Sequence, residues 1–165
     1  MSRSIRNALP SDLFILADII RNSFKDVAIR FGLTEENCPK HPSNCTPYWI
    51  RDAFAKGVFY FILEQDGTPC GCVALEHATP EVCYMERLAV LPQMRRSGMG
   101  AALVAHAMST AQSMGSSRIE IGIISADTEL KMWYRRLGFA ETRTAIFPHL
   151  PFEVSFMARE LGPVY

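Results

Sequence analysis

Residues 86–100, Glu-Arg-Leu-Ala-Val-Leu-Pro-Gln-Met-Arg-Arg-Ser-Gly-Met-Gly, put an extended run, a basic turn and a glycine-opened helix in immediate succession. The first turn of a helix leaves backbone N–H groups without partners and carries a partial positive charge, so it draws in phosphate oxygens where the chain allows close approach. Gly98 and Gly100 allow that approach, and Arg95 and Arg96 add planar cationic forks that grip a phosphate bidentately. The turn reads as a phosphate cradle built from Arg95, Arg96, Ser97, Gly98, Met99, Gly100 and Ala101.

Two better-known phosphate loops fit less well. A P-loop requires G-x-x-x-x-G-K-[ST], and no lysine-serine end follows these glycines. A dinucleotide fingerprint requires G-x-G-x-x-G or A in a tight turn directly after a strand. Here Leu103 stands at the third small position, two arginines precede Gly98, and Glu120 falls inside a strand rather than at its end. Cys38, His41 and Cys45 invite a zinc reading, but structural zinc takes four ligands in recognised spacing, and Pro39, Pro42 and Asn44 are ordinary turn chemistry. No metal is expected, and these side chains fit the lining of an acceptor pocket better. Cys70 and Cys72 flank Gly71 without C-x-x-C spacing and read as small buried hydrophobes.

Periodicity supplies the elements that hold the cradle. Residues 5–9 form a short strand stopped by Pro10, and Ser11-Asp12 offers an N-cap to a helix running to Arg30 on Leu13, Leu16, Ala17, Ile20 and Phe24, closed by Gly32. Residues 34–47 are dense in Pro, Asn, Ser and Thr and form a long loop of the binding kind, after which Thr46 caps a helix over 47–56. Residues 58–64 and 69–77 make a hairpin around Gln65-Asp66-Gly67-Thr68, and 82–91 adds a third antiparallel strand. Leu103, Val104, Ala107, Met108 and Ala111 give the cradle helix one apolar face; 118–124 is a strand, 127–137 a helix, and 139–147 and 152–159 the last strands. The pattern is α/β, a single domain over residues 1–165 with a mixed, mostly antiparallel sheet flanked by helices and one parallel crossover.

The run Val90-x-Pro92-x-x-Arg95-Arg96-x-Gly98-x-Gly100, followed by Trp133-Tyr134-Arg135-Arg136-Leu137-Gly138-Phe139, resembles the GNAT superfamily of N-acetyltransferases. The resemblance implies that the strand carrying Leu88, Ala89 and Val90 splays from the 118–124 strand, and that the pantetheine arm of acetyl-CoA enters the resulting V. It implies an N-acetyltransferase moving an acetyl group from acetyl-CoA to a primary amine of a small molecule or peptide, by direct attack in a ternary complex. Such a transfer needs a neutral amine, a polarised carbonyl and a protonated leaving thiolate. Glu86 is the candidate base, with Glu81 and His77 in reserve, and a period of two puts it on the face of Leu88 and Val90. The resemblance points to backbone N–H groups around Leu88 to Val90 for the carbonyl, and Tyr134 resembles the family's tyrosine beside the CoA sulfur. Asp127 stands where many members carry a cofactor-contacting Asn, and reads here as a helix cap. Phe147, His149, Phe152 and Phe156 are candidates for an acceptor wall. A non-catalytic acyl-CoA sensor on the same scaffold is the competing function; a nucleotide-binding module is disfavoured by the glycine spacing.

Composition narrows the partners. With 17 basic and 17 acidic side chains the net charge is zero, so no overall field favours nucleic acid or an anionic membrane. Five cysteines without a signal-peptide pattern suggest a reduced, cytoplasmic setting, and no apolar run reaches membrane-spanning length. A homodimer, common among such families and soluble proteins generally, is left open.

Overall fold

The computed structural model describes residues 2–163. Its seven strands form one sheet in the order β1-β2-β3-β4-β5-β7-β6, where β1 is Arg3–Asn7, β2 Phe59–Gln65, β3 Thr68–His77, β4 Val82–Val90, β5 Arg118–Ile124, β6 Ala140–Ile146 and β7 Glu153–Glu160. All neighbours are antiparallel except β4 and β5. One face carries α1 (Leu13–Phe31) and α2 (Pro47–Ala55), whose Leu16, Ile20 and Ile50 meet Tyr60, Ile62, Cys72 and Ala74. The other carries α3 (Met99–Ser113) and α4 (Thr128–Arg136). On α3 the buried residues are Met99, Leu103, Val104, Ala107 and Ala111, the stripe that the 3.6-residue period demands. Each fully buried Leu, Val or Met in it contributes roughly 1.5–3 kcal/mol, which fixes the helix that opens the cradle.

Two expected caps take other roles. Asp12 precedes α1, but its carboxylate accepts from the Leu9 N–H and pairs with Arg6, whose guanidinium holds it below the usual carboxylate range. Thr46 makes no side-chain cap to α2, which opens on Pro47. Asp127 does cap α4, through the Leu130 N–H at 3.3 Å, and also pairs with Arg30 of α1 at 2.9 Å. Among the described residues no helix is long and apolar enough to cross a membrane.

The decisive feature is the β4–β5 pair. Only Val82, Cys83 and Tyr84 pair with Arg118, Ile119 and Glu120. Beyond them β5 follows β7 up to Ile124, and β4 follows β3 up to Val90. The facing edges therefore part into a V whose apex lies at Tyr84 and whose β4 wall runs toward the cradle.

Candidate active site

The β4 wall bends at a bulge: the register slips between Cys72 and Ala74 of β3, and Arg87 opposite adopts a left-handed φ of 50°. A bulge adds one residue and breaks the two-residue alternation. Glu86 therefore does not share a face with Leu88 and Val90, as a regular strand would require. Leu88 and Val90 pack against the α3 cluster, whereas Glu86 lies opposite Ala74 on the α1/α2 face. Arg87 turns to that same face, where its Nη1 donates to the Tyr60 hydroxyl at 3.0 Å and its guanidinium lies 5.6 Å from the Trp49 ring centre.

Glu86 is half-buried, and burial, reinforced by the neighbouring Glu76 carboxylate, pushes its pKa above the ordinary value. Glu76 pairs with Tyr84 in the β3–β4 register and so stands diagonal to Glu86 on the same face. A carboxylate whose proton is held more tightly is a stronger base once ionised, which suits removal of a proton from an ammonium. Replacing Glu76 with Gln removes the like charge, so the ionised form of Glu86 should appear at lower pH: the rising limb of a pH–rate profile is expected to move toward acid in Glu76→Gln, and an unmoved limb would count against this coupling. Sequence reading passed over Glu76, since only the strand register brings it to Glu86.

Tyr134 lies on the α3/α4 face, 5% exposed, between Trp133 and Phe139 in edge-to-face contacts of 5.0 and 5.3 Å. Its hydroxyl has no hydrogen-bond partner among the described residues, and burial raises its pKa, so it is a neutral phenol with a proton to give.

At the mouth of the V, the Gly98 φ of 82° starts α3 with no side-chain cap, and no backbone N–H from Arg96 to Ala101 finds an acceptor among the described residues. That is a ready anion cradle. Its cations differ from the sequence reading. Arg95 is turned away: its guanidinium binds Asp26 at 2.9 and 3.2 Å and the carbonyls of Ser23 and Val90, bracing the loop against α1. Arg96 is exposed and makes no ion pair or hydrogen bond among the described residues. Arg3, 94 residues upstream, donates to the Ser97 carbonyl at 3.0 Å and so brings a second positive charge beside this loop, a placement only the fold could create. Gly100 is small for a different neighbour than expected: a Cβ there would meet the Trp133 ring at 3.2 Å, so it lets α3 and α4 pack.

On the Glu86 face, Tyr84, Glu120, Gly122, Arg143 and Phe156 line a cavity of about 350 Å³. Of the expected acceptor wall, Phe156 lines it, with the Phe147 ring centre 6.3 Å from that of Phe156 and the His149 ring tilted against Phe147 at 5.7 Å; Phe152 packs instead near Ile124. Cys38 and Cys45 are buried in separate apolar clusters, and His41 Nδ1 engages Ser43 Oγ at 2.7 Å. Among the described residues no group of three His, Cys, Asp or Glu could hold a metal.

A sequence model of the Acetyltransferase (GNAT) family matches residues 28–139, more than half of the chain and all of the cradle. The protein belongs to this family. Among curated proteins, the amino-acid acetyltransferases of Neisseria meningitidis serogroup A and serogroup B are each 34% identical over 149 residues, 90% of this chain. The chain spans 29% of the length of these curated relatives. Solved GNAT structures share the fold at low identity. The ribosomal-protein-S18-alanine N-acetyltransferase from Escherichia coli superposes with a TM-score of 0.75 at 16% identity, over 99% of this chain and 97% of that one. The PaiA N-acetyltransferase from Thermoplasma acidophilum, solved in complex with coenzyme A, gives 0.74 at 18% identity, over 97% and 99%.

Proposed function

We propose that the protein transfers an acetyl group from acetyl-CoA to a primary amine held on the Glu86 face of the sheet. The observation that carries this reading is the run of N–H groups from Arg96 to Ala101 that find no acceptor among the described residues, continuous with the open edge of β4. Phosphate oxygens suit the former, and an extended amide-bearing arm such as pantetheine suits the latter, where it adds like a strand. Acetyl-CoA when bound supplies the activated acyl group as a thioester.

The chain's own residues then divide the work. Glu86, ionised, takes the amine's proton and passes it to solvent. Backbone N–H groups of residues 88–90 hold the carbonyl oxygen as negative charge develops on it. Tyr134 donates its phenolic proton to the sulfur as the carbon–sulfur bond breaks. Amide product and CoA thiol result, and Tyr134 recovers a proton from solvent. The relatives named for amino-acid acetylation favour a small-molecule acceptor over a protein one.

Binding is tested by thermal unfolding. A ligand at 100 times its Kd stabilises the native state by about 2.7 kcal/mol, so CoA and acetyl-CoA should raise Tm while NAD should not. Removing both cations beside this loop that carry no ion pair among the described residues, Arg3→Ala with Arg96→Ala, should weaken CoA binding roughly 10-fold or more, because charge-assisted contacts to phosphate are lost. CoA binding unaltered in the double variant would remove these residues from the cradle.

A further inference from the structure

We propose that Arg87, Lys40 and the Trp49 indole form a subsite for a carboxylate of the acceptor, so that the substrate is a free amino acid whose amine faces Glu86. The inference rests on the N-acetyl transfer read above and adds the acceptor class. Arg87 is half-buried and turned by the bulge onto the Glu86 face, yet its guanidinium has one hydrogen bond among the described residues, to the neutral Tyr60 hydroxyl, and no carboxylate at ion-pair distance. Arg6, Arg30, Arg95 and Arg118 each hold a carboxylate. A guanidinium has five N–H donors; Glu86 attracts that of Arg87 without reaching ion-pair distance, so most of its donors lack an acceptor among the described residues, which is unfavourable away from water. A carboxylate that arrives with the substrate fills those donors.

A second cation points to the same place. Lys40, on the loop between α1 and α2, lies with its Nζ 5.5 Å from the centre of the Trp49 ring that Arg87 also covers, and it has no carboxylate partner among the described residues. Lys40 and Arg87 thus each lie against the Trp49 ring, and both attract a carboxylate that enters beside it. The bulge completes the match. In a regular strand Glu86 and Arg87 would point to opposite faces; here they present an acid and a base side by side. An amino acid carries the complementary pair, amine and carboxylate on one carbon. A peptide N-terminus or a lysine side chain in a protein has the amine without the carboxylate.

The test compares each L-amino acid with its carboxamide at saturating acetyl-CoA, reading released thiol. Charge-assisted contacts predict a preference for the acid of roughly 10- to 100-fold in kcat/KM. Arg87→Gln should erase it, mainly by raising KM for the acid, with the carboxamide changed little, and Lys40→Ala on its exposed loop should act in the same direction more weakly. Equal losses on acid and carboxamide would make Arg87 a folding residue and overturn the subsite. Better turnover of carboxamides, peptide N-termini or O-phosphoethanolamine would do the same. Should no amine release thiol although CoA still stabilises the protein, the transfer reading itself fails. Calorimetry of the same acids with the CoA-bound parent and Arg87→Gln then decides the subsite alone: weaker acid binding in the variant supports it, equal binding overturns it.

Discussion

Glu86→Gln should lower the acetylation rate by roughly 10- to 10⁴-fold, the span over which positioned general bases act, while leaving acetyl-CoA affinity intact. The amide keeps the shape and hydrogen-bonding reach of the side chain but cannot accept the amine's proton. The rate of the parent protein should rise with pH as Glu86 ionises, along a limb displaced upward from that of an ordinary carboxylate by burial and by Glu76. The variant should lose that limb. Stability should respond in the opposite sense. The folded protein holds the Glu86 proton more tightly than the unfolded chain does, so its contribution is favourable at low pH and is lost as pH rises through the raised value. Glu86→Gln removes that loss and should be no less stable than the parent at neutral pH. A variant of normal activity would move the base to Glu81, His77 or water; one that is inactive but also unfolded at neutral pH would contradict the linkage.

Tyr134→Phe should lower kcat by roughly 10- to 10³-fold with little change in KM for acetyl-CoA, as expected when an interaction is made only as the thiolate departs. A phenol of pKa near 10 or above is protonated at neutral pH and can still donate to a thiolate whose conjugate acid lies near 8.5. Burial makes Tyr134 a weaker acid than a free tyrosine, so the transfer depends on charge building on sulfur. The ring stays wedged between Trp133 and Phe139 in the variant, and folding should change little because the hydroxyl has no hydrogen-bond partner among the described residues to abandon. A raised KM with kcat intact would make the hydroxyl an anchor for the co-substrate. Indifference of both Glu86 and Tyr134 variants, with CoA binding retained, would favour an acyl-CoA sensor over an enzyme.

Local chemistry made much of this legible in the sequence. The helix over 99–113 announces itself through apolar residues at 103, 104, 107 and 111, its start through Gly98, which takes a left-handed φ, and the hairpin through Asp66-Gly67. Each depends on residues within a few positions of one another, where backbone sterics and the 3.6- and 2-residue periods act directly. Even the separation of the cradle from the Trp133 to Phe139 segment is a sequence quantity.

What the tertiary structure alone decided is which side chains share a space. Arg95 and Arg96 are neighbours of one residue type, yet one is consumed by Asp26 on α1 and the other has no partner among the described residues. Arg3 reaches the cradle because β1 pairs with β2 at the sheet edge, and Glu76 reaches Glu86 because of the β3–β4 register. The bulge at Arg87 has no local marker: a non-glycine residue takes a left-handed φ there, and that one extra residue reverses the face on which Glu86 lies. Periodicity assigns faces only while alternation continues unbroken, and whether it breaks is settled by how two strands pair across the sheet, an energy that belongs to both strands and is written in neither.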